Sequence, residues 1–366
     1  MKSKFALLLA AAILSAQTWQ TAQPGYQYAF PRDHFAHPDF QTEWWYYTGN
    51  LRAPNGHRFG YELTFFSQAV SIPKNTKGAS DNPVWRPDRL YLAHVALSDI
   101  DGQQFYHSER LNRAGPGLAG ADLTSQAYWN GNWRVQWKSL ATGEQKLQAI
   151  SDRFTLDLNL SPVKPLVING KDGISRKGSA AGEASHYLSF TRLASKGQLK
   201  LNGATFPLTG VSWMDHEFFT EPASDTLAGW DWFAIQLENN EELMLYRLRT
   251  KSGQPNPFSS ATFVDSRGVA HYLDASQFHV SSSGLWESPH SKTRYPLSWQ
   301  ILIPSLDLQL SQRTELRDQE LFTPRSLAPS YWEGAVAYAG RIHGEPVKGV
   351  GYLEMTGYGR SLRLRR

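Results

Sequence analysis

A phrase of the form Gly-Val-x-aromatic-aliphatic-acid occurs twice in this chain, as Gly210-Val211-Ser212-Trp213-Met214-Asp215 and as Gly349-Val350-Gly351-Tyr352-Leu353-Glu354. A second phrase recurs without gaps: Trp44-Trp45-Tyr46-Tyr47-Thr48-Gly49-Asn50-Leu51 matches Trp230-Asp231-Trp232-Phe233-Ala234-Ile235-Gln236-Leu237. One phrase opens a unit and the other closes it, so the chain reads as two copies of one module in tandem. Self-similarity at long period constrains the architecture before any single residue is interpreted. Each closing phrase is approached through a glycine, Gly203 in one copy and Gly344 in the other. The first copy is the longer, and residues 67–88 and 170–184, rich in Gly, Lys, Ser, Pro and Asn, are the expected places for the extra length, as loops of the kind that cover pockets. Residues 220–229 interrupt the pattern between the copies. The expected division is a signal segment over 1–22, a first domain over 23–222 and a second over 223–366.

Within each copy the hydrophobic period is two. Phe59, Tyr61, Leu63 and Phe65 share one face while Gly60, Glu62 and Thr64 share the other, and stretches such as 89–98, 133–139, 154–160, 187–193, 243–249, 297–303 and 334–343 alternate likewise. Turn clusters separate them, among them Pro54-Asn55-Gly56, Asn130-Gly131-Asn132 and Asp265-Ser266-Arg267-Gly268. The mature chain carries no long amphipathic helix pattern. An all-β protein built from short antiparallel strands follows, as sandwiches or barrels.

The N-terminus reads as a secretory signal: Lys2 and Lys4, an apolar run from Phe5 to Leu14, then Ser15-Ala16, with cleavage expected after Ala16 or near Ala22. The protein is therefore expected to be exported, periplasmic or secreted. It has 0 Cys, which excludes thiolate catalysis, Cys-based metal sites and lipidation of a mature N-terminal cysteine, and leaves core burial alone to hold the fold. A formal charge of +4 halves once Lys2 and Lys4 leave, so nucleic acid is not an expected partner. The basic cluster Arg360, Arg363, Arg365 and Arg366 alternates with Leu362 and Leu364 as the solvated face of a last strand would. The 13 Trp, 16 Tyr and 18 Phe suit pleated sheets and also line apolar cavities.

Familiar hydrolase signatures are absent. There is no Gly-x-Ser-x-Gly elbow, and His216-Glu217-Phe218-Phe219-Thr220 has Thr where a zincin needs its second His, on a strand rather than a helix. Trp213-Met214-Asp215-His216-Glu217 is the densest polar cluster. On a strand, Trp213, Asp215 and Glu217 share one face and Met214 and His216 the other. An acid beside an indole in an apolar setting has its charged form disfavoured and can serve as a proton donor; the same residues would equally form an ion-pair anchor at a domain junction. Glu43, Trp45 and Tyr47 share a face opposite Trp44 and Tyr46, so this strand is aromatic on both sides and one side is expected to meet a cavity or the other module. His94, inside the apolar stretch Tyr91-Leu92-Ala93-His94-Val95-Ala96, fits a satisfied core histidine as well as a catalytic one. Tyr331, Trp332 and Glu333 repeat the combination of aromatics and acid in the second module, and Glu354 echoes Asp215.

Taken in order, Glu43-Trp44-Trp45-Tyr46-Tyr47-Thr48-Gly49, Ser212-Trp213-Met214-Asp215-His216-Glu217, Ser330-Tyr331-Trp332-Glu333-Gly334 and Gly351-Tyr352-Leu353-Glu354 resemble the bacterial AttH-like family related to carotenoid 1,2-hydratases. The resemblance runs over residues 28–359 and implies a tandem pair of lipocalin-like, calycin-type antiparallel β-barrels with ligand space in or between them. In the carotenoid hydratase branch an Asp protonates a terminal carbon–carbon double bond and water adds to the cation, assisted by His, Trp and Tyr; other members are described as secreted hydrolases. The expected function is thus binding of a large apolar isoprenoid, carotenoid or lipid, with acid-assisted hydration or cyclisation. The alternative is a non-catalytic periplasmic lipid carrier or partner of an ABC-type membrane transporter, and a third reading is a secreted hydrolase; a monomer is expected in each case. The expected catalytic residues are Asp215, His216, Glu217 and His94; the expected substrate-binding residues are Glu43, Trp44, Trp45, Trp213, Trp230, Asp231, Trp232, Tyr331, Trp332 and Glu333. No metal or organic cofactor is implied.

Overall fold

The computed structural model describes residues 19–70, 88–115, 117–220, 227–252, 254–323 and 330–359. Most of the apolar leader, residues 71–87, the boundary at 221–226 and the C-terminal arginines lie outside them. Among the described residues the chain is strand and turn, with helical backbone confined to two single 3-10 turns, Arg32–His34 and Pro304–Leu306.

Two antiparallel sheets carry the fold. The first is built from β1 (Thr42–Arg52), β2 (Arg58–Ala69), β3 (Arg89–Asp99), β4 (Gln104–Arg113), β5 (Ala119–Asp122), β6 (Ala127–Asn130), β7 (Trp133–Trp137), β8 (Gln145–Ile150) and β9 (Phe154–Pro162). The two-residue strands β10 (Val167–Ile168) and β11 (Ser175–Arg176) and the long hairpin β12 (Ala184–Leu201) and β13 (Ala204–Phe219) complete it. The second comprises β14 (Leu227–Leu237), β15 (Glu242–Thr250), β16 (Ser260–Val264), β17 (Ala270–Asp274) and β18 (His279–Glu287), then β19 (Arg294–Ile303), β20 (Leu308–Arg313), β21 (Glu320–Leu321), β22 (Tyr331–Ile342) and β23 (Glu345–Met355).

The two sheets follow one plan. In the first the order is β4-β3-β2-β1-β13-β12 and then β9 to β5; in the second it is β17-β16-β15-β14-β23-β22 and then β20 to β18. In both, the opening strand pairs with the closing one, and the repeated phrases sit in the same register: Tyr46 lies opposite Asp215, and Trp232 opposite Glu354. The closing hairpins also match. Asn202 and Gly203 turn β12 into β13 with φ of 51° and 82°, and His343 and Gly344 turn β22 into β23 with 53° and 84°, the two positive values a type I′ turn demands. The extra length of the first copy is not only loop, because five strands, β5 to β9, stand where the second has three.

The longer sheet curls into a near barrel and the shorter into a half-barrel. No ladder joins β4 to β5 among the described residues, and side chains bridge the seam instead: Arg110 donates to the carbonyls of Asn130 (3.0 Å) and Ile150 (3.2 Å), and Asn112 to the Asn130 side chain (2.6 Å). Strong coiling brings β1 and β13 close together. A Cβ added at Gly210 would sit 2.1 Å from the Asn50 carbonyl oxygen, and one at the equivalent Gly349 would sit 2.8 Å from that of Gln236. Because the obstacle at Gly210 is backbone, Gly210→Ala is expected to lower stability by about 1–3 kcal/mol, read as a reduced urea midpoint with an unchanged slope.

Three apolar clusters result. One fills the near barrel, around Trp45, Tyr47, Tyr61, Tyr128, Trp133 and Trp137; a second fills the half-barrel, around Phe233, Trp299, Trp332 and Tyr338. The third lies between the sheets, where Tyr46, Tyr187 and Trp213 meet Trp232, Met244, Tyr246 and Tyr352. The opening strand is aromatic on both faces because it is buried on both: Trp45 and Tyr47 point into the barrel, and Tyr46 points at the other module.

Candidate functional site

The face-to-face junction concentrates acids that lack cations. Period-two alternation puts Glu62 and Thr64 of β2, His94 and Ser98 of β3, and Trp213 and Asp215 of β13 on the side of the first sheet that meets the second. Opposite them β22 and β23 supply Tyr331, Glu333, Tyr352 and Glu354, with Trp230 and Trp232 from β14. Asp215 accepts from the Tyr187 hydroxyl (2.5 Å), the Ser189 hydroxyl (2.5 Å) and the Trp213 indole (2.6 Å), and Tyr187 in turn accepts from the Trp232 indole at 2.9 Å. Glu354 accepts from the Trp230 indole at 3.0 Å. Glu333 accepts from the Tyr46 hydroxyl, across the junction. Thr64 donates to one oxygen of Glu62, and the other oxygen, Oε2, is buried with no partner.

Burial therefore governs the protonation of these groups. It pushes Glu62 up to about 8, with the Glu354 charge adding to the effect. Burial likewise raises Glu333 well above the usual carboxylate range, helped by Glu62 and Glu354. Glu354 and Asp215 each rise to about 7, again chiefly through burial, and for Asp215 this outweighs its three donors. Like charges a short distance apart cannot all ionise, so the set holds protons at neutral pH and titrates as a unit. His94 is driven the other way by burial, down to about 3, and is neutral; its Nδ1 meets the Tyr331 hydroxyl at 2.7 Å and its Nε2 has no partner.

The junction has a basic edge. Residues 170–184 reach over it: Ser175 and Tyr246 share a hydrogen bond of 2.8 Å between modules. Lys177 stands 3.3 Å from Glu217 with its ammonium 3.9 Å from the centroid of the Tyr246 ring. Glu217, also bonded by Ser185, is thereby an ion-pair partner, unlike Asp215.

A separate polar cluster occupies the mouth of the near barrel, on the opposite face of β1 and β13. One oxygen of Glu43 meets His37 Nδ1 at 2.7 Å and His216 Nε2 at 2.8 Å, while His37 Nε2 meets Asp33 at 3.2 Å. Although burial opposes it, the Glu43 and Asp33 carboxylates raise His37, and His37 with His216 holds Glu43 down at about 2. His37 stacks on Phe218 and His216 on Trp45.

The sequence candidates thus fall into three places. Asp215, Glu217, His94, Trp213, Trp232, Tyr331 and Glu333 converge at the junction, with Trp44 and Trp230 half-buried at its rim. Glu43, Trp45 and His216 lie inside the near barrel. Asp231 and Trp332 belong to the second module's interior: Asp231 is held by Arg247 (2.9 Å), Arg249 (3.2 Å) and the Tyr358 hydroxyl (2.8 Å), and the Trp332 indole donates to the Arg317 carbonyl at 2.8 Å. Glu62, Tyr46, Tyr187, Asp33 and His37 were not among the candidates. The signal for Glu62 was present, since a strand paired to one that is aromatic on both faces is itself covered on both faces.

A model of AttH-like proteins matches residues 21–358. The chain belongs to the AttH-like family. Its structure resembles that of an AttH candidate from Nitrosomonas europaea, with a TM-score of 0.81 and 32% identity over 93% of this chain and 100% of that one. Kievitone hydratase from Nectria haematococca shares the fold, with a TM-score of 0.71 and 14% identity over 93% of this chain and 96% of that one. Among curated relatives, the dehydratase asqC of Emericella nidulans is 22% identical over 217 residues and kievitone hydratase of Fusarium solani subsp. phaseoli 23% over 219. The match spans 58% of this chain and 60% of the length of each of these two.

Proposed function

We propose that this protein is an exported hydro-lyase that adds water to, or removes it from, a carbon–carbon double bond of a large apolar ligand held at the junction between its two modules. The observation that carries the reading is Glu62, a buried acid with no cation near it and one oxygen with no partner. Among the described residues nothing accepts from that oxygen, so a proton there is available to a substrate. Asp215, the acid favoured by the sequence, has its oxygens engaged by three donors and is better suited to shaping the pocket.

The step balances simply. Glu62 delivers its proton to one alkene carbon, the π pair forms the new C–H bond, and the neighbouring carbon becomes cationic. Water then forms a C–O bond there and gives its extra proton to the carboxylate that Glu62 has become, which restores the acid, while Glu333, kept protonated by burial beside Glu62, stays neutral. The acids and the rings of Tyr46, Trp213 and Trp232 disperse the positive charge through their negative potential and π faces. Hydratase and dehydratase names among relatives fit the same chemistry run in either direction. The two open surface clefts described lie elsewhere, about 490 Å³ beside Asp157 and Gly197 and about 520 Å³ beside Tyr26 and His186. The half-buried rim at Trp44 and Trp230 is the proposed side of entry to the junction.

The test is incubation with linear polyenes and prenylated phenols in ¹⁸O-labelled water, followed by mass spectrometry. A product heavier by one labelled water is expected. Saturable quenching of tryptophan fluorescence by these ligands without any product would replace the enzyme reading with that of a carrier.

A further inference from the structure

The mouth of the near barrel holds a second arrangement that the junction chemistry does not use. His37, Glu43 and His216 come from three segments, the N-terminal stretch, β1 and β13, and each offers one ligand atom within 4.8 Å of the others. All three are buried, and among the described residues no other three His, Asp or Glu side chains meet this way. We propose that these three residues form a binding site for a divalent transition-metal ion of the zinc class, with Asp33 as the positioning residue for His37.

Three observations converge. The donor set, two imidazoles and one carboxylate, is that of open zinc sites, which keep a fourth position for water or substrate. The geometry is close to what an ion requires: Glu43 Oε1 lies 2.7 Å from His37 Nδ1 and 2.8 Å from His216 Nε2. Ligands about 2.0–2.1 Å from a tetrahedral ion stand about 3.3 Å apart, so the two Glu43 edges need to open by roughly half an ångström each, and the edge between the imidazoles is no more than 4.8 Å. An ion bound there would need the imidazole nitrogens that face Glu43 free of protons, so binding would release protons. The outer shell is in place around His37 and Glu43, whereas His216 Nδ1 is buried with no partner among the described residues. His37 Nε2 points at Asp33 Oδ1, 3.2 Å away, the carboxylate–histidine pairing that fixes tautomer and ring orientation in metal sites, and the second Glu43 oxygen is held by the His37 backbone N–H at 2.9 Å.

Solvent comes within one ring of the cluster. The open cleft of about 520 Å³ is lined by Tyr26, Phe40 and His186. Phe40 and His186 both pack on Phe218, the ring on which His37 stacks. Bound in the cluster, the ion would tie the N-terminal stretch to the barrel wall.

Untagged protein, purified without chelator from cells supplied with zinc, is to be assayed by inductively coupled plasma mass spectrometry, then stripped with dipicolinate and titrated with Co²⁺. About one equivalent of metal is expected, with the visible d–d bands of four-coordinate Co²⁺. His37→Gln, Glu43→Gln and His216→Gln should each abolish stoichiometric binding, Asp33→Asn should weaken it by about 10–100-fold, and the remote His290→Gln should leave it unchanged. The wild-type measurements need no variant, so a misfolded mutant does not decide the outcome. Less than a tenth of an equivalent in wild-type protein, with no Co²⁺ bands, overturns the proposal and leaves an ion-pair cluster. Metal retained by folded Glu43→Gln and His216→Gln proteins overturns it equally.

Discussion

Glu62→Gln is expected to abolish hydration, by about 10²–10⁴-fold, and at the same time to make the protein more stable in alkali. The amide matches the protonated acid in shape but has no proton to deliver, so binding should persist while kcat collapses. The stability effect follows from where the proton resides. Glu62 is held up at about 8 when folded, against about 4.3 in an unfolded chain, so the folded state keeps a proton that the unfolded state has released. Its contribution is fully present below pH 4 and is lost as pH rises through 8. Glutamine cannot ionise, and so loses nothing over that window. Wild type and variant should therefore agree near pH 4, and the variant should be favoured at pH 9 by on the order of 3–5 kcal/mol. Urea denaturation of both proteins at the two pH values measures it. Parallel pH profiles would show that Glu62 is ionised in the fold, and the proton-donor role would go with that result.

The duplication was legible because it is carried by whole phrases: the aromatic opening strand, the glycine of the closing strand and the turn before it all recur, and they recur for structural reasons. Gly210 and Gly349 permit the same close crossing, and Asn202-Gly203 and His343-Gly344 make the same turn. Which face of Trp44–Tyr47 met the other module was not legible, since aromatics fill both. The junction acids were only half visible for a related reason. Asp215 and Glu333 stand inside conspicuous phrases, whereas Glu62 sits in an ordinary alternating strand and is remarkable only for what packs over it. Asp231 misled in the opposite sense. It replaces the first copy's Trp45, an inward position, and two arginines of β15, Arg247 and Arg249, neutralise it within its own module. His216 adjoins Asp215 in sequence and yet serves a different site, because neighbours on a strand face opposite ways. Its partner His37 lies before the first strand, in a stretch with no periodicity to announce it.

Glu242→Gln should cost about 3–5 kcal/mol, the largest stability loss expected of any single change at the junction. Glu242 opens β15 and is fully buried; Lys164 reaches it at 2.7 Å and Arg192 at 2.5 Å, both from the first module. Arg192 is aimed there by an irregularity in β12, where the register with β13 shifts between Phe190 and Leu193, as bulges commonly re-aim a side chain. The remaining donors are satisfied too: Lys164 also bonds the carbonyls of Asn240 (2.5 Å) and Asp265 (2.7 Å), and Arg192 that of Leu237 (2.9 Å). Removing the one anion leaves two buried cations facing each other, and the modules should then separate before either unfolds. Calorimetry is expected to resolve one transition in wild type and two in the variant. The net worth of the whole cluster is much smaller than this loss, because bringing three charges out of water costs nearly what their pairing returns. Replacing Lys164, Arg192 and Glu242 together by methionine should accordingly recover most of the stability, or exceed it. If the triple variant is as unstable as the single one, packing at this seam rather than unpaired charge holds the modules together.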